Sequence, residues 1–137
     1  MVTTIALLGA GRIGKVHAKA IAEDKRARLV AVADAMAPAA AAIAEATGAA
    51  VMTIDAIEAD GSIDAVIICT PTNTHADLIE RFARAGKAVF CEKPVDLDVT
   101  RACACADVVR EVGGRVMLGF NRRFDPHFLA VRKAIDD

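Results

Sequence analysis

Residues 3–14 have the sequence TTIALLGAGRIG, an apolar run that passes directly into a glycine-rich loop. An apolar run followed by Gly-x-Gly-x-x-Gly is typical of a strand, a tight turn and the start of a helix. The three glycines have different roles, since Gly9 permits the turn, Gly11 lets the backbone approach a pyrophosphate, and Gly14 lets the helix pack close to the sheet. The stretch therefore predicts the first strand and helix of a dinucleotide site.

The helix that follows the glycines offers a place for a phosphate group. Its first residues, Arg12 and Ile13, carry N–H groups without partners inside the helix, and the positive end of the helix dipole lies there. Asp34 ends the second predicted strand, roughly 20 residues beyond Gly14, where a carboxylate can accept hydrogen bonds from a ribose diol. A glycine-rich turn without a ligand is the alternative, but the strand, the helix and the acid together favour the dinucleotide site.

The residues around Asp34 also bear on the choice of cofactor. NADP carries a 2′-phosphate at the position where Asp34 would place a negative charge. The next residues, Ala35, Met36 and Ala37, offer no lysine or arginine to neutralise that phosphate. NAD is therefore the predicted cofactor.

The size and charge of the chain restrict its function. Its 137 residues are expected to form one domain, 1–137, and 55% of them are hydrophobic. Many of these are alanines, which favour helices and close packing more than a membrane span. The 17 basic and 18 acidic side chains give a net charge of −1, without the basic excess that nucleic acid binding needs. We therefore expect neither a membrane nor a nucleic acid partner and, with no signal peptide at the start, a cytoplasmic location.

The four cysteines do not form a metal-binding pattern. Cys69 and Cys91 each close an apolar run, Cys103 and Cys105 lie two apart in a predicted helix, and no pair has Cys-x-x-Cys spacing. Residues two apart in a helix point to well-separated sides. We expect buried, reduced thiols, with neither a metal nor a disulfide.

Apolar runs alternate with helical patterns along the whole chain, which predicts an α/β doubly wound parallel sheet of the Rossmann type. Helices are expected at 74–85, at 98–112 and from Pro126 to Ala134, and a short strand and helix within 51–61. The first helix is expected to bury a stripe of Ile13, Val16, Ala20 and Ile21. The predicted strands are 3–8, 28–34, 65–69, 88–92 and 116–119, of which 65–69 is apolar throughout and should be central.

In a doubly wound sheet the loops at the carboxyl ends of the strands converge on one ligand. Residues 70–75, TPTNTH, follow such a strand with small hydroxyl and amide groups. Asn73 or Thr74 is expected to cap the next helix, and a cap and a cofactor contact can share one loop. A structural role is favoured over a catalytic one for His75, and His17 is expected to pack against the sheet. The predicted cofactor contacts of this loop are Thr70, Pro71, Thr72, Asn73 and His75.

The tripeptide Glu92-Lys93-Pro94 follows another apolar strand. A lysine directly at the end of a buried strand is an unusual place for a surface charge. Its ammonium can polarise a hydroxyl or carbonyl oxygen of a substrate. An ordinary salt bridge between Glu92 and Lys93 is an equally good interpretation of the spacing alone.

Four motifs in this order resemble the Gfo/Idh/MocA oxidoreductases. They are the glycine loop with His17, the loop 70–75, the tripeptide 92–94 and residues 119–125, GFNRRFD. The resemblance covers nearly the whole chain and is greatest to the members that oxidise cyclic polyols such as myo-inositol. It implies an NAD-dependent dehydrogenase whose lysine, here Lys93, is catalytic and contacts both nicotinamide and substrate.

The resemblance also assigns the remaining site residues. Glu92 and Pro94 would lie at the cofactor, and the Lys93–Pro94 peptide is commonly cis in this family. Arg122 would lie near the cofactor and Arg123 near the substrate, although one of the two can be an ordinary exposed residue of a turn.

The family's enzymes continue into a second, substrate-binding domain, for which this chain has no matching residues. That domain supplies the general base and usually the oligomer interface, and a homo-oligomer, with a tetramer favoured, is expected for the full-length enzyme. The chain alone is expected to bind NAD weakly, to turn over little or nothing, and to expose apolar surface near Phe120, Phe124 and Phe128. A non-catalytic NAD-sensing module is the alternative, and Lys93 discriminates between the two because a sensor needs no ammonium at the hydride-transfer position.

Overall fold

Six parallel strands form one sheet in the computed structural model, which describes residues 2–136. In chain order the strands are β1 (Thr3–Leu8), β2 (Ala27–Ala33), β3 (Ala50–Val51), β4 (Ala65–Ile68), β5 (Ala88–Cys91) and β6 (Val116–Leu118). From β1 the chain runs outward to β3, crosses back to β4 beside β1, and runs outward again to β6, in the spatial order β3-β2-β1-β4-β5-β6. This is the doubly wound topology that the alternation of patterns predicts.

Helices cover both faces of the sheet. They are α1 (Arg12–Glu23), α2 (Ala37–Thr47), α3 (Ile54–Ala59), α4 (His75–Arg84), α5 (Val99–Glu111) and α6 (Pro126–Asp136). On one face α1 and α2 pack on Leu7, Val32 and Ile67, and on the other α3, α4 and α5 pack on residues such as Val66 and Ile68. Strand β4 is buried from both sides, which confirms its predicted central position.

One local prediction about a helix was wrong, and another was confirmed in position but without the side-chain hydrogen bond of a cap. Helix α1 buries Gly14, Ala18 and Ile21, whereas Val16 is 59% exposed. Because α1 begins in close contact with the glycine loop, small residues face the sheet there and the larger Val16 points away. Thr74 is the N-cap residue of α4, as one alternative had it, but its hydroxyl donates to Pro71 O at 2.8 Å instead of capping the helix.

A polar network closes the amino-terminal end of the sheet, and the sequence did not indicate it. Lys87, directly before β5, is 6% exposed and donates from Nζ to the carbonyl oxygens of Asp60 and Ile63, at 2.6 and 3.0 Å. Asp64 accepts from the backbone N–H and the hydroxyl of Thr4, both at 2.8 Å, and these bonds lower the pKa of the Asp64 carboxyl. The polar groups at this end therefore satisfy one another.

Candidate functional site

The predicted site residues meet at the carboxyl-terminal end of the sheet, because each loop begins while still bonded to the neighbouring strand. Gly9 N donates to Ala33 O at 2.8 Å, and Cys69 N donates to Leu8 O at 2.7 Å. Gly119 N donates to Cys91 O at 2.8 Å in the same way. The loops after β1, β4 and β6 thus leave the sheet at the same edge, with β1 and β4 adjacent and β5 between β4 and β6, as in a nucleotide-binding crevice.

The glycine loop has the geometry that a dinucleotide needs. Gly9 has a φ of 96°, and a Cβ on it would lie 2.6 Å from the carbonyl of Cys69. A Cβ on Gly14 would lie 2.0 Å from Gly9 O, so the start of α1 can approach the loop only without a side chain there. A Cβ on Gly11 would have no described atom within 4 Å, so this side of the loop is open space.

The start of α1 leaves its backbone donors available to an anion. Its first turn contains no acidic side chain, and among the described residues no side chain caps it. The N–H groups of Arg12, Ile13 and Gly14 therefore have no competing carboxylate, and the helix dipole favours a negative charge at this point. The loop and helix together fit the diphosphate of a dinucleotide.

Asp34 is held against the glycine loop by two backbone N–H groups. Its Oδ2 accepts from Ala10 N at 2.6 Å and its Oδ1 accepts from Met36 N at 2.7 Å. Each carboxylate oxygen has a second lone pair, so a ribose hydroxyl can still bind. Sequence reasoning missed the bond to Ala10, because the predicted role of Asp34 concerned only the ligand and the two residues are 24 positions apart.

The loop after β4 is tied together by its own hydroxyl groups and by a buried histidine. The hydroxyls of Thr70 and Thr74 lie 2.7 Å apart. His75 is 2% exposed, and its Nδ1 and Nε2 lie 2.7 and 2.8 Å from the carbonyl oxygens of Pro94 and Thr70. With both ring nitrogens engaged, His75 joins two loops, which favours the structural role expected for it over direct contact with a cofactor. Pro71 and Asn73 are exposed and Thr72 is half-buried.

Glu92 is bound to a histidine and not to its neighbouring lysine. Its Oε1 lies 2.8 Å from Nε2 of His17, whose ring packs edge-on against Phe90 with 5.1 Å between centroids. The alternative of a Glu92–Lys93 salt bridge was wrong: within residues 2–136 the exposed Lys93 side chain has neither an ion pair nor a hydrogen bond. The Lys93–Pro94 peptide is cis, as the resemblance implies.

The arginines of the last motif lie on an exposed aromatic surface. Arg122 is 3.3 Å from Asp125 Oδ2 and stacks over Phe128, with 4.9 Å to the ring centroid. Arg123 lies over Phe120 at 6.0 Å. Phe120, Phe124 and Phe128 are 49%, 67% and 50% exposed, which confirms the predicted apolar surface.

The cysteines carry no chemistry in the site. Burial raises the pKa of the Cys69 and Cys91 thiols to about 12, which disfavours the reactive thiolate. Cys105 is buried, but Cys103 is exposed on α5, so the prediction of burial was wrong for that residue.

Within residues 2–136 all four thiols are free, and no cluster of His, Cys, Asp or Glu could hold a metal. No helix in this range is both long and apolar enough to cross a membrane.

The doubly wound sheet, the glycine loop and the acid after β2 define a dinucleotide-binding Rossmann domain. The chain belongs to the Gfo/Idh/MocA oxidoreductase family: the model of that family, described as an oxidoreductase family with an NAD-binding Rossmann fold, matches residues 3–120. The prediction of NAD as the cofactor is thereby confirmed.

Several relatives of this chain are inositol dehydrogenases. It is 69% identical to the inositol 2-dehydrogenase of Rhizobium meliloti (strain 1021) over 137 residues, which are 100% of the chain and 42% of that protein. A myo-inositol dehydrogenase structure from Corynebacterium glutamicum is 44% identical with a TM-score of 0.90, covering 99% of this chain and 41% of that one. A scyllo-inositol dehydrogenase from Lactobacillus casei, solved with NAD(H) and scyllo-inositol, is 31% identical with a TM-score of 0.92 and the same coverage. The chain thus spans about two fifths of their length.

Proposed function

We propose that this chain is the NAD-binding part of an inositol 2-dehydrogenase, which transfers a hydride from a cyclic polyol to NAD. The substrate would be myo-inositol and the product the 2-keto inosose. The names of the relatives support this class of substrate, since the chain is 69% identical to an inositol 2-dehydrogenase. The observation that carries the proposal is the free ammonium of Lys93 at the carboxyl end of β5, beside a loop that fits a dinucleotide.

Residues from every loop of the crevice would hold the cofactor. The N–H groups of Gly11, Arg12, Ile13 and Gly14 would bind the diphosphate, Gly9 would form the turn that brings them to it, and Asp34 would bind the adenosine ribose. The bound cofactor supplies a nicotinamide ring that accepts a hydride. The loop residues proposed to enclose the rest of it are Thr70, Pro71, Thr72, Asn73, Glu92, Lys93, Pro94 and Arg122, with His75 acting through the loops that it joins.

Lys93 would act on the substrate oxygen. An ammonium without a carboxylate partner can donate to the hydroxyl oxygen of the substrate, which becomes negative as its proton passes to a base and neutral again, as a carbonyl, when the hydride leaves the carbon. Arg123 is proposed as a second contact for the polyol. The proton acceptor would lie outside these residues, so the chain alone is expected to bind NAD with little or no turnover.

The full-length enzyme is proposed to be a cytoplasmic homo-oligomer, with a tetramer favoured. The exposed apolar side chains of α6, Phe128, Leu129, Val131 and Ile135, need a cover in a stable protein. The free thiols of Cys69, Cys91, Cys103 and Cys105 suit a reducing compartment.

A chimera tests the proposal. This chain would replace the matching 42% of the Rhizobium meliloti inositol 2-dehydrogenase, to which it is 69% identical. The chimera should form NADH from myo-inositol at about 1 per second or more, and Lys93→Ala should abolish this while NAD affinity stays within about twofold. A Lys93→Ala variant that loses NAD binding instead, or a chimera that binds NAD without turnover, would favour the sensing module.

A further inference from the structure

Within residues 2–136 the Lys93 side chain has no hydrogen bond or ion pair, yet both residues next to it in sequence are held by histidines. Glu92 is bonded to His17 at 2.8 Å, and Pro94 is bonded to His75 at 2.7 Å. His17 belongs to α1 and His75 begins α4, and these helices pack on opposite faces of the sheet. The lysine therefore projects from a segment that is anchored on both sides.

His75 fixes the backbone on one side of Lys93. Its ring connects Pro94 O to Thr70 O, and so ties the tripeptide to the end of the central strand β4. Each ring nitrogen lies within hydrogen-bond distance of one carbonyl oxygen, so the ring sits between the two loops and spans the gap from one to the other.

On the other side of Lys93, His17 is bonded to the carboxylate of Glu92. Glu92 is confined by His17 and by Gly119, where an added Cβ would lie 3.2 Å from both Glu92 Oε2 and Phe90 Cζ. A carboxylate directly before a lysine is a natural partner for its ammonium. In this structure the Glu92 carboxylate is paired with His17 at 2.8 Å and not with Lys93.

We infer that His17 and His75 are positioning residues for Lys93: His75 fixes the backbone that carries it, and His17 withholds Glu92 from its ammonium. This inference rests on the proposed function, in which Lys93 acts on the substrate. Neither histidine needs to touch substrate or cofactor. Both should therefore affect the rate of hydride transfer more than the binding of NAD.

The chimera carries the kinetic test. His75→Gln should lower kcat by about 10- to 100-fold, since a displacement of about 1 Å in a catalytic group has this cost. His17→Ala should lower kcat by about tenfold, and adding Glu92→Gln should restore part of the loss because the neutral amide no longer pairs with Lys93. The KM for NAD should stay within about twofold in the single histidine variants.

Two controls separate positioning from loss of stability. Lys87→Met removes buried hydrogen bonds at the other end of β5, and should lower the melting temperature without lowering kcat. His127→Gln removes an exposed histidine outside the site, and should change neither quantity. Unchanged kcat in both His17→Ala and His75→Gln would overturn the inference. It would also be overturned if Lys87→Met, at an equal loss of stability, lowered kcat by as much as these variants do.

A measurement on the chain itself tests whether His17 and His75 position Lys93. An inactive chimera would count against the proposed function alone, and this measurement would still be decisive. Lysines can be labelled by reductive ¹³C-methylation, and the Lys93 signal identified by its absence from Lys93→Ala. His17→Ala and His75→Gln should each shift this signal, whereas His127→Gln should not. A Lys93 signal identical in all three variants would refute the positioning role.

Discussion

Lys87 and Lys93 flank the same strand, β5, and differ in every contact. Lys87, at the amino end, is buried and gives two hydrogen bonds to the carbonyl oxygens of Asp60 and Ile63. Lys93, at the carboxyl end, is exposed, and the described residues offer its ammonium no partner. Lys87 therefore contributes to the structure of the amino-terminal end of the sheet. At the other end, the neighbours of Lys93 are held in place, Glu92 by His17 and Pro94 by His75.

The two ends of this parallel sheet differ in how many polar groups they leave available to a ligand. Polar groups at the amino end satisfy one another, so they add stability and offer little to a ligand. Polar groups at the carboxyl end hold backbone, as Asp34 does for Ala10 and His75 for Pro94, and leave Lys93 and the donors of α1 available.

The largest effect is expected at Lys93. Lys93→Met in the chimera should lower kcat by about 10²- to 10³-fold, because it removes a charge that stabilises the developing oxyanion. The free energy of unfolding should change by no more than about 0.5 kcal/mol, since the exposed side chain has no partner to lose. Steady-state kinetics and urea denaturation would measure the two quantities, and a large loss of stability would contradict the contrast.

The glycine loop should show the next largest effect. Gly14→Ala places a Cβ 2.0 Å from Gly9 O, so the loop must move, and NAD affinity should fall by at least about tenfold. Gly11→Ala is the matched control, because its Cβ meets no described atom within 4 Å. It should leave stability unchanged and weaken only NAD binding, through the space that it takes from the diphosphate. Calorimetric titration with NAD and thermal unfolding of both variants would show whether the two glycines differ in this way.

Lys87→Met should have the opposite profile to Lys93→Met. It removes both hydrogen bonds of the Lys87 ammonium and takes the donor from Ile63 O, while Asp60 O still accepts from Ile63 N at 3.2 Å, so the free energy of unfolding should fall by about 1–3 kcal/mol. NAD affinity should remain within about twofold, because the site lies at the other end of the sheet. Urea denaturation of the chain checks the first value, and an affinity loss matching that of Gly14→Ala would show that the two ends are not independent.

The smallest effect concerns the thiols near the site. Burial raises the pKa of Cys69 and Cys91 to about 12, so the folded state keeps their protons while unfolded thiols lose them near pH 8.5 to 9. This contribution to stability is present below about pH 9 and is lost as the pH rises toward 12. Alkylation at neutral pH should label Cys103 first, and mass spectrometry of the native chain would reveal early labelling of Cys69 if the account were wrong.

Much of the fold was predictable because its signals are local. Apolar runs ended by turn residues gave the strands, and β4 could be placed at the centre because a strand buried on both faces is apolar throughout. The resemblance located Lys93, and the glycine spacing located the loop around Gly9. These patterns depend only on neighbours in the chain.

The contacts that hold the site were not predictable, because they join distant residues. His17 and Glu92 are 75 positions apart, and spacing alone left a salt bridge between Glu92 and the adjacent Lys93 as an equal alternative. The burial of Lys87 depends on carbonyl oxygens of a loop more than 20 positions earlier. The exposure of Cys103 likewise follows from which side of α5 faces α4, which a weakly amphipathic helix does not reveal.

The central claim is that Lys93 acts on the substrate while the fold holds it in place. Its most direct test is the single-turnover rate of NADH formation by the chimera at saturating NAD, compared between Lys93→Met and Lys87→Met. If Lys93 acts on the substrate, Lys87→Met should have the wild-type rate within about twofold, and Lys93→Met a rate at least about a hundredfold lower. Equal rates in the two variants would contradict it.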